Sequence, residues 1–177
     1  MNLRSIQKPL KEKYRNDPTS SRITLTAHGG PSDSPTACSV EVGQKLLEAQ
    51  AHIGVGGLGT AACSGDLLLG ALAACAQLTC QLVASAMGIP MEDIRVEVDG
   101  EMDLRGTLGI SKEVPVGFEN IHARFEIKAP EATPEQLDAL KDKTEQYCVV
   151  MQTLMKPPTI KTSWIQAGGS QSSSSEA

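Results

Sequence analysis

Hydrophobic and polar positions first fall into a regular pattern over residues 21–28. There Ile23, Leu25 and Ala27 alternate with polar neighbours, which predicts a strand. Gly29, Gly30, Pro31 and Pro35 then mark a turn or loop over 29–35. Residues 37–42 and 45–51 predict two more short strands that meet at Gly43-Gln44, and a Gly-rich loop (GVGGLG) fills 54–59. The period then changes. Residues 64–87 predict one helix about 36 Å long, with no charge between Leu67 and Ile89. Ser64 is the expected N-cap, and Asp66 lies in the first turn, where a carboxylate suits the helix dipole. Gly88-Ile89-Pro90 ends the helix. Residues 92–103 alternate again through Ile94, Val96 and Val98. A loop containing Gly106, Gly109 and Pro115 spans 105–117, and a returning strand at 118–129 carries Ile121, Ala123, Phe125 and Ile127. Thr133, Pro134 and Gln136 open a second helix: a cap, a proline at the first helical position, and a glutamine three residues after the cap. Leu137, Leu140, Thr144, Tyr147 and Cys148 share one face of it, and it is expected to run to about Leu154. Pro157-Pro158 stops it, and residues 159–165 predict the last strand. The order β-β-β-α-β-β-α-β defines an α+β fold, an antiparallel sheet with two principal helices.

With 177 residues, 40% apolar and 21% charged, the chain has the makings of one domain with its own core. We place that domain at 20–166, after a basic N-terminal segment at 1–19 and before a Gly/Ser-rich tail at 167–177 expected to lack structure. The segment holds Arg4, Lys8, Lys11, Lys13 and Arg15 against Glu12 and Asp17, and is expected to run along the surface into the first strand rather than act as a transit peptide. A net charge of −5 and an aromatic content of 3% argue against a nucleic-acid partner. The uncharged helix is long enough to span a membrane, but Gln77, Thr79, Gln81 and Ser85 interrupt it and basic flanks are missing, so a buried core helix is expected and no membrane partner.

Five cysteines, at 38, 63, 75, 80 and 148, form no CxxC pair, which fits reduced thiols in a cytoplasmic protein better than a disulfide scaffold or a zinc module. Cys75 and Cys148 lie on the two long helices, which should pack together over the sheet. Each could be a buried structural thiol. The alternative is a reactive pair, in which one thiolate attacks a peroxide and the second thiol captures the sulfenic acid as a disulfide. Cys80 points away from Cys75, about 140° around the helix, and it, Cys38 and Cys63 are read as structural. His52 and His122 are lone histidines without ligand spacing, so no metal is expected. The 54–59 loop lacks the Lys-Ser/Thr ending of a phosphate loop and reads as a turn.

The segment S-G-D-L-L-L-G-A-L-A-A-C (64–75) resembles the first-cysteine helix of the OsmC/Ohr family, the osmotically induced and organic-hydroperoxide-resistance proteins. E-Q-Y-C-V-V-M-Q-T-L (145–154) is similar to the family's second-cysteine helix, and D-G-E-M-D-L-R-G-T-L-G (99–109) with V-P-V-G-F-E-N-I (114–121) to its strand, Arg-Gly loop and returning strand. The resemblance covers about residues 20–165. It implies an intertwined homodimer with the cysteine helices central and sites at the subunit interface. It also implies a thiol-dependent peroxidase acting on organic hydroperoxides, with no cofactor. Cys75 would be the peroxidatic thiol and Cys148 the resolving one, with a small dithiol or a lipoylated protein as reductant. Three positions depart from the pattern. Gly65 stands where the hydroperoxide enzymes have a carboxylate, with Asp66 next to it. The Arg that stabilises the thiolate is assigned to Arg22, with Arg15 behind it. Val149 replaces the Pro that often follows the second cysteine. The first two departures leave an alternative: a non-catalytic protein of the same fold that binds a hydrophobic small molecule at the dimer interface. Leu68, Leu72, Leu78 and Leu82 favour alkyl hydroperoxides over hydrogen peroxide as substrate. The Arg105-Gly106 turn could touch substrate, though a solvated loop is the simpler expectation.

Overall fold

A computed structural model describes residues 3–166 and the backbone of residues 172–176. The first element is a helix that the sequence reading did not assign. Residues read as a surface segment form helix α1 (Leu3–Asn16), because Leu3, Ile6, Leu10 and Tyr14 recur at helical spacing. Its start is tied to the body by Arg4, which donates to the carbonyl of Ala86 at 2.6 Å, an acceptor near the end of the long helix that would otherwise face solvent.

The first strand also lies further along than expected. Strand β1 is Ala27–Pro31, antiparallel to β2 (Ala37–Val42), which pairs in turn with β3 (Lys45–Gln50). The register explains the shift: Ala27 stands opposite Val42, the last residue before the turn, so Ile23 and Leu25 have no strand beside them and are exposed. Val42 and Lys45 close a two-residue hairpin in which Gly43 has φ +59, the left-handed backbone that makes glycine the natural residue there.

The Gly-rich loop folds as a tight turn. Its 3-10 turn at Ile53–Val55 is capped by His52, whose Nδ1 accepts from the Gly54 N–H at 3.0 Å. A Cβ on Gly57 would drive into the carbonyl of Ala51.

Helix α2 (Ser64–Met87) has the expected limits but a different cap. Cys63, not Ser64, is the N-cap: its Sγ accepts from the Asp66 N–H at 3.5 Å, and the Asp66 carboxylate accepts from the Cys63 N–H at 2.8 Å. This is a reciprocal capping box with a thiol in the usual hydroxyl position. Gly88, at φ +71, ends the helix. Leu72, Ala76, Cys80 and Ala84 recur every four residues and form its buried face. By length and composition α2 could cross a membrane, but it packs on β4 (Asp93–Glu101), α4 (Pro134–Tyr147) and α5 (Val149–Met155).

β4 pairs antiparallel with β5 (Asn120–Lys128), Asp93 opposite Lys128. Ile94, Val96 and Val98 face α2, while the outer face carries exposed ion pairs such as Arg124–Glu97 at 3.0 Å and Lys128–Glu92 at 2.7 Å. Such pairs contribute at most about 1 kcal/mol each. The connection holds a short helix α3 (Leu104–Thr107) within the stretch expected to be irregular. Gly106 is buried there, and a Cβ on it would collide with the backbone of Pro115.

Helix α4 opens as predicted: Thr133 Oγ1 accepts from the Gln136 N–H at 3.3 Å, and Gln136 Oε1 accepts from the Thr133 N–H at 2.9 Å. Thr133→Ala should therefore lower the unfolding free energy by about 1 kcal/mol, read from the denaturation midpoint. An unchanged midpoint would show the cap to be energetically idle. The helix does not continue to Leu154. It breaks at Cys148, whose ψ of 104 is extended, and α5 starts afresh at Val149. Of the face expected to be buried, Leu140, Thr144 and Cys148 are, while Tyr147 is exposed.

β6 (Lys161–Trp164) pairs antiparallel with β7 (Ser172–Glu176), so part of the tail expected to lack structure lies along a strand edge. An open edge offers ladder donors and acceptors to any extended backbone, and side-chain composition does not reveal that. Residues 167–171 lie outside the described residues. The core has two centres: Cys80, Ala84, Ile89 and Leu140 form one, and Leu72, Ala76 and Cys148 the other. The architecture is α+β with antiparallel sheets.

Candidate active site

α2 carries Cys75 one residue before the buried Ala76, so its thiol is half-buried on the flank that faces the α4–α5 junction. Cys148 sits at that junction and is fully buried against Leu72 and Ala76. The break at Cys148 turns the first peptide N–H groups of α5 toward Cys75. These are donors that an unbroken helix would have spent on its own carbonyls.

The electrostatics follow from this packing. Burial pushes the Cys75 thiol up, but the Val150 N–H, the Cys148 thiol, the Thr79 hydroxyl and the Val149 N–H act against burial and together hold it below the ordinary thiol value. Thr79 stands one helical turn on, its Oγ1 at 4.0 Å from the Cys75 Sγ. Cys148 is displaced the other way. Burial raises it, and although the Met151 N–H acts against this, the neighbouring Cys75 raises it further. The structure thus packs the two thiols in one cluster and pushes them apart in acidity, Cys75 down and Cys148 up.

Neither Asp66 nor Arg22 is among the groups acting on Cys75. The Asp66 carboxylate is held below its usual range by the N–H and thiol of Cys63, as part of the α2 cap. Arg22 is exposed, and its backbone N–H closes the 3-10 turn at Pro18–Ser21 by donating to Thr19. Arg15 is exposed on α1. A Cβ at Gly65 would touch Phe118 and the Cys63 sulfur. Arg105 is engaged by Asp103 in an exposed ion pair. Cys38 lies in β2, Cys63 caps α2, and Cys80 is in the core, where burial pushes its thiol up against the pull of the Thr144 hydroxyl. Among the described residues, no three His, Cys, Asp or Glu side chains gather in a way that could hold a metal.

Sequence reasoning missed the donors that act on Cys75. Thr79 was readable, since i and i+4 share a helix face. The Val149 and Val150 N–H groups were not, because a peptide donor carries no side-chain signature and these two are free only because the helix breaks.

The pair makes a pH prediction. Iodoacetamide should alkylate Cys75 at a pH where Cys148 is untouched, with the Cys75 rate falling as the pH drops through its lowered pKa. Peptide mass mapping across pH checks this. A Cys75 profile centred above an ordinary thiol, about 8.5, would contradict it.

A half-buried cysteine on one long helix and a buried one at the break between two others, over an antiparallel sheet, define an α+β thiol protein. The chain belongs to the OsmC-like protein family, whose model matches residues 57–163. Its fold is similar to that of an OsmC-like protein from Mycoplasma pneumoniae, at 18% identity and a TM-score of 0.64, covering 76% of this chain and 89% of that one. It is also similar to an organic hydroperoxide resistance protein OsmC from Legionella pneumophila, at 19% identity and 0.55, covering 77% and 92%. A third similar structure is an organic hydroperoxide resistance protein from Elizabethkingia anophelis, at 18% and 0.58, covering 77% and 91%. Among curated proteins, none matches the sequence.

Proposed function

We propose that the chain is a thiol-dependent peroxidase for organic hydroperoxides. The observation that carries this reading is the Cys75–Cys148 contact, with the half-buried thiol lowered and the buried one raised. The Cys75 thiolate attacks the terminal oxygen of ROOH and the O–O bond breaks. The alkoxide takes a proton and leaves as ROH, and Cys75 becomes a sulfenic acid. Cys148 then attacks the Cys75 sulfur, water departs, and a disulfide remains. Two electrons from a dithiol, free or carried on a lipoylated protein, restore both thiols. The names of the Legionella and Elizabethkingia proteins point to the same chemistry.

The active form in this reading is a homodimer. Exposed Leu78 and Leu82 on α2 and Leu46 on β3 are apolar surface that a second chain would cover. Within one chain the backbone donors of α5 take the thiolate-stabilising part. A role for Asp66 or Arg22 is proposed only in the dimer.

The test is stoichiometric. One equivalent of cumene hydroperoxide added to the reduced protein should remove two thiols and two hydrogen masses per chain and release cumyl alcohol. Thiols that survive a large excess of peroxide would end the proposal.

A further inference from the structure

Between the inner face of β5 and the helices α2, α4 and α5 lies a cavity of about 690 Å³. It touches neither Cys75 nor Cys148, and shares with their surroundings only the side chains of Leu72, Phe125 and Met151. Its size is that of small-molecule sites, about 300–1,000 Å³. Most of its wall is aliphatic or aromatic: Leu72, Ala123, Phe125, Leu140, Met151 and Leu154. Glu119, Asn120, Lys141 and Glu145 at the rim are exposed, and one buried polar group breaks the pattern. Thr144 is 2% exposed, and its Oγ1 has no hydrogen-bond partner among the described residues. The Cys80 thiol, also in the wall, lies near it but outside hydrogen-bond geometry.

A buried hydroxyl without a partner is uncommon and calls for an explanation. An ordered water is a poor one, because a buried water needs two to four polar partners and the buried side chains of this wall offer a hydroxyl and a weak thiol. An ionic ligand fits no better. The exposed Glu119 and Glu145 outweigh Lys141 at the mouth, and the interior holds nothing to neutralise a charge.

We propose that this cavity binds a neutral aliphatic molecule with a single hydrogen-bonding head, such as a medium-chain alcohol, with its head on Thr144 Oγ1 and its chain against the apolar wall. The site is separate from the thiol pair, and the proposal stands whether or not the protein reduces peroxides.

The experiment is calorimetric titration of octan-1-ol into the full chain carrying Cys75→Ser, so that no peroxide chemistry intrudes, with octanoate as the charged comparator. Saturable binding of one alcohol per chain is expected, with octanoate at least about tenfold weaker. Thr144→Val, of the same shape, should weaken the alcohol about tenfold, the loss of one buried hydrogen bond. Its thermal midpoint should be equal or higher, since the unpaired hydroxyl is gone, and that midpoint shows the variant is folded. Ala123→Phe should fill the cavity and abolish binding. Absence of saturable binding, whether the cavity stays empty or a second chain closes it, overturns the proposal. So does a Thr144→Val variant that binds as well as the parent, or octanoate that binds as tightly as octanol.

Discussion

Cys75→Ser is expected to reduce peroxide turnover to that of the uncatalysed reaction. A serine hydroxyl at this position would not ionise, and the donors of Val149, Val150 and Thr79 would have no thiolate to favour. Cys148→Ser should behave differently. Its Cys75 still attacks, so one equivalent of alcohol is released, but the sulfenic acid then persists and is trapped by dimedone as a mass adduct. Cys38→Ser, on the half-buried β2 strand, should turn over like the parent. The contrast among the three variants carries the information. Turnover retained in Cys75→Ser would move the chemistry to another thiol. Loss in Cys38→Ser would show that the pair does not act alone.

The largest effect on stability is expected from Leu140→Ala, about 2–5 kcal/mol. Leu140 is fully buried where α4 meets α2, against Cys80, Ala84 and Ile89. The α2 face that receives it is built of small residues, so Leu140 itself supplies most of the apolar volume at that contact. Alanine would leave a void continuous with the cavity it already lines, and rigid helices on both sides would hinder collapse. The urea midpoint at fixed protein concentration is the readout, with an unchanged slope showing that the folded and unfolded states are otherwise alike. Leu137→Ala, one turn earlier and half-buried, should cost clearly less. A Leu140→Ala loss below about 1 kcal/mol would mean that the helix contact repacks freely.

Where the sequence could be read, local chemistry decided the structure. α2 runs from Ser64 to Met87 as its uncharged stretch implied, and the Thr133–Gln136 box caps α4 as written. The 64–75 and 145–154 motifs pointed to the cysteine pair, and the fold brings those two thiols together. The missed features depend on partners distant in sequence or on backbone alone. The α1 apolar positions were diluted by five cations, and what anchors the helix is a carbonyl eighty-two residues away. Ile23 and Leu25 alternate like a strand, but pairing starts only where β2 has residues to offer. Cys63 displaced Ser64 as cap because Asp66 stands three residues after it, at the spacing a capping box needs. The break at Cys148 is a matter of one ψ angle, and no side chain announces it.

The β1–β2–β3 sheet keeps its contacts chiefly among its own strands, and only Ala49 and Gln50, at the end of β3, are buried. A three-stranded sheet with so little covered apolar surface belongs at the low end of a chain's local stabilities. In the proposed homodimer its protection would have to come from the second chain. Its amide hydrogens would then exchange with deuterium faster as the protein is diluted, while those of α2 and α4 would hold to a rate set within one subunit. Order in this sheet would be a property of how many copies surround it as much as of its own residues.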